Sequence, residues 1–244
     1  MIQAEETLDS FYHGKILVIQ KKKGYRFAVD SPLLASFIQT REEDICCEMG
    51  TGNGIVSLLL SLKPFRYLVT LEIQESLARL ARRNICLNHL EKRIAVLQID
   101  FLWFSPKKKF DVVFSNPPYI QKDKGHRSPS EEKSIAKHEI KSDIFAIMRK
   151  TAELLKKEGR SYFIFPAGRK NDFFKAVEES GLKVGTIRYV YPAPAKPAGH
   201  FLTECRFQPG RSTALPSLYL RDEKGRATPE AEAVYSGMMD TFHA

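Results

Sequence analysis

The stretch of the chain best suited to chemistry is Asn116-Pro117-Pro118-Tyr119, which one serine separates from an apolar run at residues 112–114. The run predicts a buried strand, and the amide and the two prolines end it abruptly. The polar group therefore lies at the carboxyl end of a strand. In an open α/β sheet, ligands bind in the crevice beyond such strand ends.

Asn116 and Pro117 together offer two hydrogen-bond acceptors on a stiff turn. Asn116 contributes a side-chain carbonyl, and Pro117 contributes a backbone carbonyl from a residue that has no N–H to satisfy. A planar group with two N–H donors, such as an exocyclic amine or an amide, fits this pair, and Tyr119 supplies a flat face for stacking. A strand followed by a plain proline turn is the alternative interpretation.

A glycine-rich turn forms a second candidate site, between a strand predicted at residues 44–49 and a helix predicted at residues 55–60. This is the first βα unit of a Rossmann-like domain, in which glycines let the backbone pass close to a ligand. A dinucleotide site needs glycine at the position of Ile55, where the side chain would obstruct close packing of helix and strand. The pattern present is instead Glu48-x-Gly50-x-Gly52-x-Gly54.

Acidic residues follow the next two predicted strands as well. Glu72 ends a strand at residues 66–71, about 20 positions past the glycine loop, where such folds place the carboxylate that binds a ribose diol. Asp100 and Phe101 follow a third strand at residues 94–99. For Asp100, a capping or turn role is the competing interpretation.

The rest of the chain predicts the elements that position these residues. Residues 1–40 form an N-terminal extension, with short strands at 15–20 and 25–29 around a basic turn at 21–23, and a helix that opens with Ser31 as its cap and Pro32 as its first residue. Further helices are predicted at 74–89, 145–157 and 171–180, and further strands at 161–166, 183–191 and 201–207. Residues 41–207 then form the main domain and 208–244 a tail, with a short helix near 230–239.

Residues 120–141 form a polar segment that is too long for a routine connection. It carries four candidate substrate-binding side chains, Lys122, Lys124, Arg127 and His138. Because it follows the presumed amine site, it is the best candidate for a flap that the substrate orders. A disordered segment without function is the alternative.

Composition limits the class of protein without deciding it. The chain has 244 residues, enough for one domain with extensions, and 38 Lys and Arg against 29 Asp and Glu give a formal charge of +9, which favours a polyanionic partner. The four cysteines form no Cys-x-x-Cys pair and lie in apolar settings, which predicts buried free thiols in a reducing cytoplasm and neither a metal site nor a disulfide framework. The first residues lack the pattern of a signal peptide, and the longest apolar stretch, residues 55–62, is too short to span a bilayer.

Taken together, the four strand ends resemble those of class I S-adenosylmethionine-dependent methyltransferases. In that class the acidic residue and the glycines of motif I surround the amino-acid end of the cofactor, the position of Asp100 accepts from the adenine amino group, and its neighbour Phe101 packs on the ring. The Asn-Pro-Pro-Tyr quartet resembles the motif of the enzymes that methylate amino groups. The resemblance implies an α/β, Rossmann-like fold: a mostly parallel seven-stranded sheet with helices on both faces and one antiparallel strand.

Across almost the whole chain, the sequence is similar to the bacterial family of tRNA1(Val) adenine-37 N6-methyltransferases. The most specific motifs are Gly24-Tyr25-Arg26-Phe27-x-x-Asp30-x-x-Leu33-Leu34-Ala35 and Ala136-x-His138-Glu139, beside the glycine loop with its helix, Glu72-Ile73-Gln74 and the Asn-Pro-Pro-Tyr quartet. Glu48 and Asn53 stand where relatives often have Asp and Cys, and both are compatible with the site.

This resemblance implies methylation of an adenine amino nitrogen in RNA, most specifically in a tRNA, by a cytoplasmic enzyme without a metal or an obligate protein partner. The implied catalytic residues are Asn116, Pro117 and Tyr119. The implied residues for S-adenosylmethionine are Glu48, Gly50, Thr51, Gly52, Gly54, Glu72, Ile73, Asp100, Phe101 and Asn116. The implied substrate-binding residues are Tyr119, Lys122, Lys124, Arg127 and His138.

Three alternatives stay open on the sequence. Protein-glutamine N5-methyltransferases share the quartet, because an amide also has two N–H donors, but they begin with a larger helical domain that residues 1–40 do not match. Methyltransferases of rRNA or DNA adenine are possible, although the DNA enzymes usually add a target-recognition region that is not evident here. A non-catalytic RNA-binding protein would be expected to have lost Asn116 or Tyr119.

Overall fold

The computed structural model describes residues 2–23, 30–117 and 144–237. The strands are β1 (Glu6–Phe11), β2 (Ile16–Lys21), β3 (Ile45–Met49), β4 (Tyr67–Glu72), β5 (Ile94–Gln98), β6 (Phe110–Ser115), β7 (Leu155–Pro166), β8 (Lys183–Tyr191), β9 (His200–Arg206), β10 (Thr213–Ala214) and β11 (Leu218–Tyr219). The helices are α1 (Asp30–Phe37), α2 (Ile55–Leu60), α3 (Glu75–Leu87), α4 (Ile144–Leu154), α5 (Lys170–Glu179) and α6 (Pro229–Ser236), and short 3₁₀ helices lie at Phe101–Trp103 and Ala167–Arg169.

Seven of these strands form the central sheet in the order β8-β9-β7-β6-β3-β4-β5. Strand β9 runs antiparallel to both of its neighbours, and the other adjacent pairs are parallel. The predicted mostly parallel sheet with one antiparallel strand is therefore confirmed. Two strands of two residues each, β10 and β11, pair in addition with the outer strand β8 and were not predicted.

Alternating side chains place one apolar cluster on each face of the sheet. The neighbours Cys46 and Cys47 on β3 point to different clusters, as do Val112 and Val113 on β6. This period of two is what a strand buried on both faces requires. Helices α1, α2 and α3 contribute to one cluster and α4 and α5 to the other, so both faces are covered, as predicted.

The first two strands form a separate antiparallel hairpin, in which Glu6 pairs with Lys21 and Phe11 with Ile16. Strand β2 confirms the strand predicted at residues 15–20, but its partner is β1, which was not predicted because its alternating pattern is largely polar. The predicted partner at 25–29 lies outside the described residues. The hairpin turns through Tyr12, His13 and Gly14, which all have positive φ.

Some predicted boundaries were wrong. Helix α4 ends at Leu154 and not at 157, because Leu155 already pairs with Phe110 at the start of β7, so strand pairing outweighs the helical pattern there. Helix α1 begins at Asp30, so Ser31 lies within the helix instead of capping it. Cys86 is exposed, whereas the other three cysteines are buried free thiols as expected.

The tail packs on the sheet. Thr228 caps α6 by accepting from the Ala231 N–H at 3.2 Å, and Glu230 forms an ion pair with Arg188 of β8 at 2.5 Å. This helix confirms the short one predicted near 230–239. Among the described residues, no helix is both long and apolar enough to cross a membrane.

Candidate active site

The candidate site lies along the carboxyl ends of four neighbouring parallel strands. In the spatial order β5, β4, β3, β6, these strands lead into Asp100, Glu72, the glycine loop at residues 50–54, and Asn116. The chain turns from β3 outward to β4 and β5 and then returns to β6 on the other side of β3, so the site lies at a topological switch point. Ser115 joins the two central ends, because its hydroxyl donates to the Met49 carbonyl at 2.8 Å.

The glycine loop is held by the strand beside it. The N–H groups of Gly50 and Thr51 donate to the Leu71 carbonyl at 2.9 and 3.0 Å. Gly50, Gly52 and Gly54 all have positive φ, at 75°, 59° and 88°, which favours glycine. A Cβ built on Gly50 would meet nothing within 4 Å, so open space adjoins the backbone at the end of β3.

Glu72 receives two backbone hydrogen bonds from this region. Its carboxylate accepts from the Gly52 N–H at 2.8 Å and from the Gln74 N–H at 2.9 Å, and the residue is 5% exposed. Burial raises the pKa of Glu72, and the backbone donors oppose that rise. Glu72 thus fixes the glycine loop as well as ending β4, a contact that the sequence spacing did not predict.

Glu48 lies deeper, at 1% exposed, and accepts hydrogen bonds from two hydroxyl groups. Thr51 Oγ1 donates to Glu48 Oε2 at 2.6 Å, and Ser57 Oγ donates to the same oxygen. The pKa of Glu48 is raised to about 7, mainly by burial and in part by the nearby charge of Glu72, while the two hydroxyl donors oppose the rise. The hydrogen bond from Ser57, in the first turn of α2, was not predicted. The only feature of the sequence that could have indicated it is the spacing of nine residues between Glu48 and Ser57.

Within the described residues, neither Glu48 nor Glu72 forms an ion pair with a basic side chain. Two adjacent buried carboxyl groups without a cation are unfavourable when both are ionised, because burial penalises charge and the charges repel. A ligand that carries positive charge would relieve both effects. The donor set therefore suits a cationic ligand at the end of β3 and β4.

At the β5 end, Asp100 has the capping role that was the competing interpretation. Its Oδ1 accepts from the Leu102 N–H at 2.9 Å, at the start of the 3₁₀ helix. This hydrogen bond uses one oxygen of the Asp100 carboxylate and fixes the carboxylate next to Phe101. The Phe101 side chain is half-buried. Ile73, directly after Glu72, keeps 36% of its surface exposed, so an apolar face adjoins the two acidic groups.

At the β6 end, Asn116 is half-buried and Pro117 is buried. Asn116 Nδ2 donates to the Ser31 hydroxyl of α1 at 3.4 Å, a contact between residues 85 positions apart that sequence analysis did not predict. Asp30, beside Ser31, is buried, with His200 Nδ1 at 3.8 Å from its Oδ1. Burial raises the pKa of Asp30, and His200 opposes that rise.

The structure thus places eleven of the predicted residues at one edge of the sheet, namely Glu48, Gly50, Thr51, Gly52, Gly54, Glu72, Ile73, Asp100, Phe101, Asn116 and Pro117. Five predicted site residues lie outside the described residues, namely Tyr119, Lys122, Lys124, Arg127 and His138. Among the described residues, no group of three or more His, Cys, Asp or Glu side chains is placed to hold a metal ion.

The fold is shared with solved structures of methyltransferases. The structure is similar to a predicted O-methyltransferase from Agrobacterium tumefaciens, with a TM-score of 0.66 and 18% identity over 85% of this chain and 95% of that one. It is also similar to the tRNA m1G37 methyltransferase of M. jannaschii, with a TM-score of 0.57 and 13% identity over 83% and 56% of the two chains. Residues 55–183 match the family model of the Eco57I restriction-modification methylase. The protein is a Rossmann-like methyltransferase.

Comparison with curated relatives identifies the family within the methyltransferases. A tRNA1(Val) (adenine(37)-N6)-methyltransferase of Flavobacteriaceae bacterium (strain 3519-10) is 31% identical over 173 residues, which are 70% of this chain and 73% of the relative. A protein of the same name from Vibrio cholerae is 27% identical over 220 residues, 88% and 89% of the two chains. The chain belongs to the family of tRNA1(Val) (adenine(37)-N6)-methyltransferases, which confirms the resemblance seen in the sequence motifs.

Proposed function

We propose that this methyltransferase transfers a methyl group from S-adenosylmethionine to the N6 amino group of an adenine in tRNA, with adenine 37 of tRNA1(Val) as the specific target. The observation that carries the proposal is the order of groups along the strand ends. Four groups follow one another along this edge. They are a carboxylate suited to an adenine amino group (Asp100), a carboxylate suited to a ribose diol (Glu72), the glycine loop, and the pair of amine acceptors at Asn116 and Pro117. The target is taken from the names of the relatives.

The residues present fit S-adenosylmethionine. Its sulfonium and ammonium charges suit the end of β3 and β4, where Glu48 and Glu72 are buried without a basic partner among the described residues. Glu72 would bind the ribose hydroxyls through the acceptor capacity left after its two backbone hydrogen bonds. Asp100 would accept from the adenine amino group, with Ile73 and Phe101 against the ring.

The chemistry at the β6 end depends on two acceptors. When bound, S-adenosylmethionine would supply an electrophilic methyl carbon, with S-adenosylhomocysteine as the leaving group and one proton released from the amino nitrogen. An adenine amino nitrogen is a poor nucleophile because its lone pair is delocalised into the ring. Hydrogen bonds from its two N–H groups to Asn116 Oδ1 and to the Pro117 carbonyl would localise that pair toward the incoming methyl, and positioning supplies much of the remaining rate.

Ser31 supports this role of Asn116. Because the Asn116 amide nitrogen donates to the Ser31 hydroxyl, the amide oxygen is directed away from α1. An acceptor, and not a donor, is then presented to the substrate amine.

The RNA would be held mainly through charge and stacking. The net charge of +9 favours a polyanion, and Lys122, Lys124, Arg127 and His138 are the proposed contacts that follow the catalytic quartet in the chain. The target base must leave its stack to reach Asn116, and Tyr119 would replace the lost stacking. Buried free thiols are in keeping with action in the reducing cytoplasm, where tRNA is found.

A DNA adenine is the second candidate substrate. The match of residues 55–183 to the Eco57I restriction-modification methylase model favours it, because an adenine amino group in DNA offers the same two N–H donors. Both substrates would use Asn116 and Pro117 in the same way. The strand-end geometry therefore supports an adenine amine, and the choice of nucleic acid rests on the relatives.

The test is to incubate the protein with S-adenosylmethionine labelled in its methyl group and with separate pools of tRNA, rRNA, DNA and protein release factor. We expect label in tRNA, released as N6-methyladenosine on digestion to nucleosides and mapping to position 37 of one valine tRNA. Label only in DNA would support the second candidate, and label in a glutamine side chain would contradict both. An Asn116→Ala variant in parallel reports contaminating activity.

A further inference from the structure

Two asparagines, Asn84 on α3 and Asn88 directly after its end, attach the N-terminal hairpin to the methyltransferase domain. Asn84 and Asn88 lie one helical turn apart, and each reproduces the hydrogen bonds of a neighbouring strand. Asn88 Oδ1 accepts from the Leu17 N–H at 2.9 Å, and its Nδ2 donates to the Leu17 carbonyl at 2.7 Å. Asn84 does the same with Ile19, at 2.7 and 3.0 Å. Residues of β2 thus pair with side chains of a helix.

The two asparagines differ in one further hydrogen bond. Asn88 Nδ2 also donates to the Asn84 carbonyl of α3 at 2.8 Å. Asn84 Nδ2 instead donates to the Asn53 carbonyl of the glycine loop at 2.9 Å. Each amide therefore makes three hydrogen bonds of the same kind, but only that of Asn84 reaches the loop.

The orientation of the Asn84 amide is fixed by its surroundings. The side chain is fully buried, with two carbonyl groups facing Nδ2 and one N–H facing Oδ1. If the amide were rotated by half a turn, Oδ1 would face the carbonyl oxygens of Ile19 and Asn53, and Nδ2 would face the Ile19 N–H. All three hydrogen bonds would be lost in a buried site. Asn84 is therefore a rigid link between the hairpin and the loop.

The Asn53 peptide is a part of the loop that needs such a link. It lies between Gly52 and Gly54, two residues of positive φ whose backbone is easily reoriented. Within the described residues, the buried side-chain amide of Asn53 has no hydrogen-bond partner, so it does not hold the peptide in place. On the preceding side, the Gly52 N–H is held by Glu72. Asn84 and Glu72 together fix both sides of this turn.

We propose that Asn84 is a positioning residue for the cofactor loop, and that it couples the N-terminal hairpin to the binding of S-adenosylmethionine. The inference rests on the proposed function, which assigns the glycine loop to that cofactor. Asn84 itself need not touch the ligand. It acts by holding the Asn53 carbonyl, and so the Gly52–Gly54 backbone, in the geometry that the ligand requires.

Asn88 provides a matched control for the test. Asn84→Ala and Asn88→Ala each remove two hydrogen bonds to β2 and one to a backbone carbonyl, but only the first releases the loop. At a temperature where both variants are folded by circular dichroism, calorimetry should show S-adenosylmethionine bound about tenfold more weakly by Asn84→Ala, as for loss of one buried hydrogen bond. Asn88→Ala should stay within about twofold of the wild type. Equal affinities in the two variants would overturn the proposal.

A second measurement uses the wild-type protein, so it applies even if Asn84→Ala does not fold. The Ile19 N–H donates to Asn84, and the Leu17 N–H donates to Asn88. In the wild-type protein, S-adenosylmethionine should slow amide hydrogen exchange at Ile19 more than at Leu17. Equal changes at the two amides would contradict the coupling. A wild-type protein that binds no S-adenosylmethionine would instead contradict the proposed function.

Discussion

The two ends of the candidate site are built differently. At the cofactor end, Glu48 and Glu72 are buried. Glu48 accepts from hydroxyl groups of its own βα unit, and Glu72 accepts from one backbone N–H of its own unit and one of the glycine loop. At the acceptor end, Asn116 is half-buried and its amide contacts Ser31 at a longer distance, 3.4 Å. The first end resembles a preorganised binding site. The second presents a group at the surface of the crevice, where a macromolecular substrate can reach it.

This difference separates binding from chemistry. Changes at the cofactor end should act mainly through the affinity for S-adenosylmethionine, and changes at Asn116 mainly through the rate of methyl transfer. An interaction that strengthens only as the amine becomes nucleophilic lowers the barrier without changing binding. The predictions below test that separation, beginning with the largest expected effect.

Asn116→Ala should lower the single-turnover rate of methyl transfer by about 10² to 10³, the scale for losing one preorganised group that stabilises developing charge. The affinity for S-adenosylmethionine should change little, because Asn116 acts on the substrate amine. Quenched single-turnover assays with saturating tRNA, beside calorimetry of cofactor binding, measure the two quantities. If a fall in cofactor affinity accounts for the whole loss of rate, Asn116 acts through binding and not through the chemical step.

Glu72→Ala should weaken the binding of S-adenosylmethionine by about 1 to 3 kcal/mol, the scale for losing a charged hydrogen-bond partner. The loss has two sources, the ribose contact and the support of the Gly52 N–H. Glu75→Ala is the matched control, because this nearby carboxylate is exposed and pairs only with Arg79 among the described residues. Calorimetry that finds equal affinities in the two variants would exclude Glu72 from the site.

Neutralising Lys122, Lys124 and Arg127 together should reduce the affinity for tRNA and leave cofactor binding intact. If all three contact phosphates, the slope of log affinity against log salt should become shallower by about 2 to 3. Binding titrations over a range of salt concentrations measure this slope. A slope like that of the wild type would mean that these residues, which lie outside the described part of the chain, do not contact the RNA.

Much of the cofactor end could be predicted from the sequence, because it depends on local order along the chain. Each strand ends in the polar residue that forms the site, and parallel strands bring those ends to one edge. The positions of Glu72 and of the glycines at this edge could therefore be predicted from their spacing. Ser57 and the contact of Gly52 with Glu72 were not, since they depend on how the loop folds back on β4.

The acceptor end and the hairpin illustrate what the sequence does not contain. The contact of Ser31 with Asn116 joins residues far apart in the chain, and no local pattern specifies it. Strand β1 has a polar pattern because most of its residues are not buried, and the hairpin is attached through β2, whose backbone bonds the amides of Asn84 and Asn88. An asparagine on a helix is ordinarily interpreted as a solvated residue, so this mode of docking left no recognisable signal.

The pKa of Glu48 predicts a smaller effect of pH. Burial raises this pKa from 4.5 to about 7, so between these values the folded protein holds a proton that the unfolded chain releases. The stability of the ligand-free protein should therefore fall as pH rises from 4.5 to 7, while the affinity for a cationic ligand should rise as the carboxylate ionises. Glu48→Gln should flatten both trends. Melting temperatures and calorimetry at pH 5.5 and 8 measure them.

If Glu48→Gln loses stability over this window as steeply as the wild type, Glu48 does not titrate there. Glu48→Gln serves as its own control for folding, since glutamine keeps an acceptor for Thr51 and Ser57. A variant that is more stable than the wild type at pH 8 but binds the cofactor less tightly would show that the buried charge is kept for binding at the expense of stability.

The separation of binding from chemistry is tested most directly by the single-turnover rate of methyl transfer to tRNA as a function of S-adenosylmethionine concentration, in Glu72→Ala and Asn116→Ala. We expect Glu72→Ala to reach nearly the wild-type rate once the cofactor is saturating, because its defect is one of affinity. Asn116→Ala should saturate at the wild-type concentration but at a rate lower by about 10² or more. A plateau for Asn116→Ala equal to that of the wild type would contradict the assignment of this residue to catalysis.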